Sequence, residues 1–382
     1  MNGSEQFDFH DFPEEEYLAR YARSRGLMEK EEIDLLVVTD QTNCRYFSGF
    51  QGRTVNRPVF FLLPLEGEPI LLPSKDLGTR DARRKSWVKK LQEYELPVTA
   101  DPICQAIKSL RRKPRRVGME IEDSFFGGFR PALSYGGFKK LSEALPEIEF
   151  YNASRLIWEL RIIKTRREID SIEQACRILR KAYENLFPNL RPGMTEQEIA
   201  ASLLKGIIDQ GGDLPDIGNQ GPSAMIIINA SRPADQPHIA TKRPLRKGDL
   251  LRVDSGAVFK GYYSDFACSG VVGGPSSDQQ MRWNTAVERV TAALEKVRPG
   301  MRGEEIAVHW HGVGLNYVEA PFRGMVGKGI HGALEMRPGM ALCLEEVILA
   351  PNGETSHFEE VIEITGQGYR NLSCAERNLR II

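Results

Sequence analysis

The sequence predicts an α/β domain over residues 1–160, followed by an α+β domain over residues 161–382 that contains an internal repeat. The chain has 382 residues, more than a single hydrophobic core usually holds, which favours two domains. Strand-like apolar runs alternate with helical segments through the first 150 residues, the pattern of an α/β domain. Further along, LRPGMTEQEIA at residues 190–200 resembles VRPGMRGEEIA at residues 297–307.

The predicted elements of the first domain follow from hydrophobic periodicity. EEYLARYARSRGLMEKEE predicts a helix, and IDLLVVT predicts a strand. RPVFFLLPLEGEPILLPS predicts two strands that are joined at a Glu-Gly-Glu turn. RRVGMEIE predicts a further strand, and a helical stretch is expected around LSEALPEIEF. Since we find no glycine-rich phosphate loop here, we expect a structural or dimerisation role for this domain.

The clearest helix of the chain is TRREIDSIEQACRILRKAYENLF, and it opens the second domain. Thr165 and Glu168 have the spacing of a capping box, which marks its start. Apolar residues recur at helical spacing along it: Ile169, Ile172, Ala175, Cys176, Leu179, Ala182, Tyr183 and Leu186. We therefore place the domain boundary just before this helix, near residue 160.

The two similar segments each follow an amphipathic helix, which favours an internally duplicated domain over a coincidence of Pro-Gly turns. The first copy continues into ASLLKGIIDQGG, the rest of a helix. The second copy reaches HWHGVGL after a single valine, so about a dozen residues are expected to be missing from it.

Composition argues against several classes of function. The net charge is −1, with 51 Lys and Arg against 52 Asp and Glu, which argues against a nucleic-acid surface or a polybasic membrane anchor. No run approaches the roughly 18 apolar residues of a membrane span. The acidic start lacks a signal-peptide core, which predicts a cytoplasmic protein. Six singly placed cysteines predict reduced thiols.

Two aspartates, Asp254 and Asp265, stand among apolar and aromatic residues in RVDSGAVFKGYYSDFA at residues 252–267. The flanking segments LLRVDSGAVF and YYSDFACSGVV predict a tight turn at Lys260-Gly261 between two antiparallel strands. If this turn centres near Phe259–Lys260, the two aspartates are directly opposite each other on one face of the hairpin. Two carboxylates that close should not both ionise without a cation, so the pair predicts a bound metal. The alternative is two solvent-exposed strand aspartates.

Histidine and glutamate candidates lie downstream of this hairpin. HWHGVGL places His309 and His311 on one face of an extended segment. Two glutamate pairs, Glu345-Glu346 and Glu359-Glu360, interrupt strand-like runs, and alternation allows only one member of each pair to face the aspartates. An interior with two Asp, two Glu and one His would suit Mn, Co, Fe or Zn.

These motifs resemble the pita-bread family that includes aminopeptidase P, prolidase, methionine aminopeptidase and creatinase. The resemblance covers the last 220 residues, and IDLLVVTDQTNCRYFSGF resembles the creatinase-type N-terminal domain of the same proteins. The motifs that carry the resemblance in the second domain are DSGAVFKGYYSD, HGVGL, PGMALCLEEV, FEEVIEIT and QPHIATKRPLRKGDLLRVDSG.

The resemblance implies two divalent metal ions and a set of five ligands: Asp254, Asp265, His311, Glu345 and Glu359. It also implies that Glu345 shuttles a proton and that His238 stabilises the tetrahedral intermediate from the substrate side. The implied activity is that of an Xaa-Pro aminopeptidase or dipeptidase, which cleaves the N-terminal residue before proline. Family members of this two-domain type are usually homodimers.

The sequence departs from the peptidase pattern around the substrate. Val318 stands where the family has a second histidine, and Glu346-Val347 replaces a Pro-Gly. Two family arginines become His357 and Cys268. These departures motivate an alternative, a creatinase-like C–N hydrolase that acts on a small non-peptide substrate. A non-enzymatic binding module is a third possibility, for which we would expect lost metal ligands, and the sequence keeps them.

Overall fold

The computed structural model describes residues 10–50, 57–76, 79–96, 99–121, 132–213, 226–233, 239–323 and 333–382. The chain divides into two compact units, Met1–Arg161 and Ile162–Ile382. None of the helices in these described ranges is both long enough and apolar enough to cross a membrane.

The first unit is built on a mixed six-stranded sheet. Its strands are β1 (Leu35–Val38), β2 (Phe60–Pro64), β3 (Ile70–Leu72), β4 (Lys90–Leu91), β5 (Arg116–Met119) and β6 (Glu149–Asn152). Its helices are α1 (Glu14–Lys30), α2 (Gln41–Ser48), α3 (Thr79–Lys85), α4 (Asp101–Ser109), α5 (Tyr135–Ala144) and α6 (Ser154–Ile162). The strand order is β4-β3-β2-β1-β5-β6, and the predicted strands of this domain are all present.

One prediction in this unit needs correction. The stretch 141–150, expected to be helical, is helical only as far as Ala144, and its end belongs to β6. Pro146 explains the change, because a proline ring clashes with the preceding turn of a helix and removes a backbone donor. β6 pairs in parallel with β5, so this short strand extends the sheet at its edge.

The second unit contains three longer helices, α7 (Arg166–Leu186), α8 (Glu196–Asp209) and α9 (Ser277–Leu294). Its strands are β7 (Ile226–Ala230), β8 (Leu250–Ser255), β9 (Val258–Phe259), β10 (Tyr262–Tyr263), β11 (Phe266–Val271), β12 (His309–Gly312), β13 (Glu319–Arg323), β14 (Ala341–Leu349), β15 (Thr355–Ile364), β16 (Tyr369–Asn371) and β17 (Arg380–Ile381). They form sheets of order β17-β11-β8-β7 and β13-β12-β14-β15-β16, with a β10-β9 hairpin. The predicted capping box of α7 is present.

The internal repeat is visible in the backbone. The N–H of Gly193 donates to the carbonyl of Leu245, and the N–H of Gly300 donates to that of Met336, each at 2.9 Å. Both glycines have a positive φ, 90° and 84°, which favours glycine at that position of the shared turn. β8 and β14 begin five residues after those carbonyls. Each of these two strands is an interior strand of its sheet, with a neighbour on both sides.

The second copy is shorter, as predicted. Where the first copy has the 14-residue helix α8, the second has only a 3₁₀ turn at Gly303–Glu305. The fully buried Trp310 closes this turn, since its indole N–H donates to the Gly303 carbonyl at 3.0 Å. A Cβ atom at position 303 would lie 2.3 Å from the Trp310 ring, so the turn requires glycine there. The compact turn leads directly into β12.

A buried carboxylate organises the first unit. Glu120, which is 3% exposed, accepts hydrogen bonds from the backbone N–H groups of Thr39 at 2.6 Å and Asp40 at 2.9 Å. It also accepts one from the side-chain amide of Asn43 at 2.7 Å. These bonds join the end of β5 to the end of β1 and the first turn of α2. Glu120 therefore satisfies several buried donors at once.

Replacing Glu120 by alanine should lower the free energy of unfolding by about 3 kcal/mol, because the buried donors would lose their acceptor. Urea titration followed by circular dichroism measures this. Glu143→Ala is the matched control, since Glu143 lies exposed on α5 and makes only an i,i+4 pair at 3.9 Å with Lys139. Similar losses in the two variants would contradict the assigned role of Glu120.

Candidate metal centre

Asp254 and Asp265 lie on the same face of the β8–β11 hairpin, but their predicted register is wrong. Asp254 pairs with Ala267, so Asp265 is displaced by two residues from the position directly opposite. The turn is centred on Lys260–Gly261, where both φ angles are positive, 50° and 80°. A type I′ turn requires this combination. Because the displacement is two residues, the shared face survives, and the carboxylates become diagonal neighbours.

His311 lies on β12 and reaches Asp265. Its Nε2 atom is 3.3 Å from Asp265 Oδ2, and its Nδ1 atom is 3.0 Å from the carbonyl oxygen of Gly312. A carbonyl can only accept a hydrogen bond, so this contact favours a proton on Nδ1. Nε2 is then directed at the carboxylates, the arrangement that metal-binding histidines commonly have.

Glu345 and Glu359 face each other on paired strands. Glu345 of β14 is the direct partner of Glu359 of β15, and both side chains line the cavity that holds Asp254 and Asp265. The adjacent glutamates point the other way, as strand alternation requires. Glu346 pairs with Arg289 at 2.7 Å, and Glu360 accepts a hydrogen bond from the backbone N–H of Ala375 at 3.1 Å.

His357 occupies the middle of this carboxylate group. Its Nε2 lies 2.9 Å from Glu345 Oε2 and 3.6 Å from Glu359 Oε1, while its Nδ1 lies 3.5 Å from Asp254 Oδ2. The imidazole is 3% exposed. In the sequence this residue stands out only as a departure from the peptidase pattern, whereas the structure brings it into contact with three of the five predicted ligands.

The carboxylates have opposite electrostatic environments. Burial raises the pKa of Asp265 to about 6, although contact with His311 opposes the rise. Burial likewise raises the pKa of Glu359 well above its usual range. Burial also opposes ionisation of Asp254 and Glu345, but contact with the His357 imidazole outweighs it and holds the pKa of both carboxyl groups below the usual value. Four such groups are costly to ionise together without a cation.

The imidazoles respond in the opposite sense. Burial acts to lower the pKa of His311, yet the adjacent Asp265 and Glu345 carboxylates outweigh it and raise this pKa to about 9. The pKa of His357 is likewise raised well above its usual range, because the surrounding carboxylates overcome the effect of burial. The protein thus gathers positive charge at the place where its carboxylates converge.

A divalent ion fits this site. Within the described residues, Glu359 Oε1 and His357 Nδ1 are buried polar atoms that lack a hydrogen-bond partner. Two groups of donor atoms, each within 4.8 Å of one another, are close enough to share an ion: Asp254, His357 and Glu359, and Asp265, His311 and Cys343. Carboxylate oxygens and imidazole nitrogens are the ligands that Mn, Co, Fe and Zn use.

Two further residues of the site do not emerge from the sequence analysis. The Tyr317 hydroxyl donates to Asp254 Oδ1 at 2.9 Å, and the Cys343 thiol donates to Glu359 Oε2 at 3.2 Å. Cys343 precedes Glu345 by two residues on β14, so strand alternation already indicates its direction. Nothing comparable in the sequence pattern indicates Tyr317, which lies between β12 and β13.

All five predicted ligands line one cavity of about 260 Å³. Among the described residues, seven further side chains line its walls: His309, Trp310, Tyr317, Val318, Phe322, Arg323 and His357. His238, the predicted substrate-side histidine, lies outside the described residues. Among the departures, Val318 is 41% exposed at this cavity, and Val347 is the strand partner of His357. Cys268 is buried on β11, opposite Val253.

Known protein families match both parts of the chain. Residues 20–163 match the Creatinase/Prolidase N-terminal domain, and residues 170–311 match metallopeptidase family M24. An Xaa-Pro dipeptidase of Pyrococcus furiosus is 26% identical over 370 residues, which cover 92% of this chain and 97% of that protein.

Solved structures share the fold. An Xaa-Pro dipeptidase from Bacillus anthracis superposes with a TM-score of 0.80 at 23% identity, covering 96% of this chain and all of that one. A prolidase from Pyrococcus horikoshii gives a TM-score of 0.79 at 24% identity, with coverage of 94% and 99%.

The fold and the site together define a metal-dependent hydrolase with a creatinase-type N-terminal domain and a pita-bread C-terminal domain. Residues 170–311 match metallopeptidase family M24, and residues 20–163 match the N-terminal domain of creatinases and prolidases. The matches support the peptidase prediction, and they do not support the creatinase-like alternative or the binding module. Divalent-metal use follows from the family, whereas the number and identity of the ions do not.

The adjacent residues Glu345 and Glu346 provide a matched test of the site. Glu345→Gln should weaken Mn²⁺ or Co²⁺ binding at least tenfold, because it removes a charged oxygen donor from the cavity. Glu346→Gln should leave affinity unchanged, since that side chain pairs with Arg289 on the other face. Competition with a chromophoric chelator measures both variants. Equal affinities in the two variants would exclude Glu345 as a ligand.

Proposed function

We propose that this protein is an Xaa-Pro dipeptidase-type enzyme that uses two divalent ions, held by Asp254, Asp265, His311, Glu345 and Glu359. The observation that carries the proposal is the convergence of these five side chains on one cavity with partly apolar walls. The Xaa-Pro dipeptidase relative, which aligns over nearly its whole length, supports the same activity. Mn, Co, Zn and Fe all suit the donor set.

We assign a different catalytic role to each of several residues of the cavity. Divalent ions bound there would polarise a peptide carbonyl and lower the pKa of water. Glu345, at the half-buried edge of the carboxylate group, is placed to take a proton from the attacking water and deliver it to the leaving amine. Tyr317 holds Asp254 in place through its hydroxyl. We assign His238 the role of hydrogen-bonding the tetrahedral intermediate.

The remaining walls fit a small substrate with an apolar residue. The cavity of about 260 Å³ lies below the roughly 300–1,000 Å³ that holds drug-sized ligands. Val318 and Phe322 supply an apolar wall that suits a proline ring. Arg323 supplies a cation on the same strand as Phe322, and its Nη1 donates to the backbone carbonyls of Glu304 and Ile306. A guanidinium there suits the C-terminal carboxylate of a dipeptide.

The purified, Mn²⁺- or Co²⁺-loaded enzyme should hydrolyse Xaa-Pro dipeptides faster than Xaa-Ala dipeptides. Liquid chromatography of released proline measures the rate. Creatine and cyclic amidines serve as the comparison substrates for the non-peptide alternative. Turnover of those compounds with no cleavage of Xaa-Pro peptides would contradict the proposal.

Arg323→Gln should raise KM for an Xaa-Pro dipeptide at least tenfold with little change in kcat, because the carboxylate contact binds substrate and transition state alike. The C-terminally amidated dipeptide is the control, since it lacks the charge that Arg323 would bind. An equal change in KM for the dipeptide acid and its amide would show that Arg323 does not bind the carboxylate.

The proposal also includes a homodimer and a cytoplasmic location, with neither nucleic acid nor membrane as a partner. The homodimer is implied by the resemblance to two-domain relatives, and the balanced charge of −1 supports the absence of a polyanionic partner. Light scattering coupled to size-exclusion chromatography tests the oligomeric state directly.

A further inference from the structure

His357 is positioned by its strand to take part in the metal centre. It precedes Glu359 by two residues on β15, so both side chains point to the same face of the sheet. Its imidazole is 3% exposed, and it lines the same cavity as the five predicted ligands. Neither the family matches nor the ligand set implied by the sequence assigns it a role.

The contacts of His357 are with ligand atoms and not with structural groups. Both ring nitrogens face carboxylate oxygens, with Glu345 on one side at 2.9 Å and Asp254 on the other at 3.5 Å. The nearer nitrogen is also 3.6 Å from Glu359 Oε1. A buried imidazole held only for packing would normally find a backbone carbonyl or a hydroxyl as its partner.

Two atoms at this point of the site remain unsatisfied. Within the part of the chain that the structure describes, His357 Nδ1 and Glu359 Oε1 are buried and have no hydrogen-bond partner. Leaving two such atoms without a hydrogen bond in one small cavity is costly, and an ion bound between them would satisfy both. The donor atoms of Asp254, His357 and Glu359 lie within 4.8 Å of one another.

We infer that His357 is itself a metal ligand, which gives the Asp254–Glu359 half of the centre its own imidazole. The other half already has one, because His311 reaches Asp265. Each of the two ion positions would then bind one histidine. This inference rests on the metal centre of the proposed function, and it adds a sixth protein ligand to that centre.

A second imidazole alters which ion the centre prefers. Nitrogen donors favour Co²⁺ and Zn²⁺ over Mn²⁺ more strongly than oxygen donors do. The Asp254–Glu359 half should therefore bind Zn²⁺ and Co²⁺ well in preference to Mn²⁺. Without His357, that half would have oxygen donors only, and its preference for these two ions should fall.

The test uses the full-length protein loaded with Co²⁺, and it counts imidazole ligands without measuring activity. Proton NMR of the Co²⁺ form should show two exchangeable, paramagnetically shifted imidazole N–H resonances in the wild-type protein and one in His357→Asn. His357→Arg should also show one, because a guanidinium keeps a positive charge but does not bind metal. His309→Gln is the matched control, since it removes another imidazole of the same cavity and should leave two resonances.

Affinities provide the second readout. His357→Asn and His357→Arg should each weaken binding of one Zn²⁺ equivalent at least tenfold in chelator competition, with a smaller effect on Mn²⁺. If His357 served only to neutralise carboxylates, His357→Arg would retain the wild-type Zn²⁺ affinity. Circular dichroism of the metal-free variants identifies any that fail to fold. If one of the two His357 variants does not fold, the other still tests the inference.

The outcomes separate this inference from the proposed function. Two bound Co²⁺ ions in the wild type, with both resonances retained in the two His357 variants, would overturn the role of His357 alone. A wild-type protein that binds no Co²⁺ would overturn the metal centre itself.

Discussion

Repulsion among four clustered carboxylates, three buried and one half-buried, is the constraint on which this site depends. Asp254, Asp265, Glu345 and Glu359 line one small cavity in which water cannot fully screen their charges. Placing them together reduces stability unless positive charge lies between them. Two imidazoles supply part of this positive charge in the structure, and a pair of divalent ions would supply the rest. The chemistry proposed for the protein follows from that electrostatic demand.

The internal repeat explains how a single fold brings these groups together. Each copy has a turn at a glycine, followed by a strand that places a carboxylate in the cavity. The carboxylate is Asp254 on β8 in the first copy and Glu345 on β14 in the second. These two residues each lie nine positions beyond the carbonyl that closes the turn, at Leu245 and Met336. The neighbouring strands then add Glu359 and the histidine of β12. The corresponding strands of the two copies thus each contribute a carboxylate to the same cavity.

Much of this arrangement was accessible from sequence, because strand alternation and motif spacing are local properties. The shared face of Asp254 and Asp265 follows from a period of two, even though the register that placed them directly opposite was wrong by two residues. Lys260 adopts a positive φ of 50°, which is uncommon for a side chain of this kind, so residue type indicated a turn at Lys260-Gly261 without fixing the two residues at its centre. The contacts of His357 and Tyr317 depend on how separate strands pack together, which no local pattern encodes.

The most direct test of the account is the anomalous scattering of crystals grown with Mn²⁺. We expect two anomalous peaks inside the cavity, one adjoining Asp254 and Glu359 and the other adjoining Asp265 and His311. The crystals are grown from protein purified without chelator. A map with no anomalous peak among these side chains would contradict the claim that their convergence forms a metal centre.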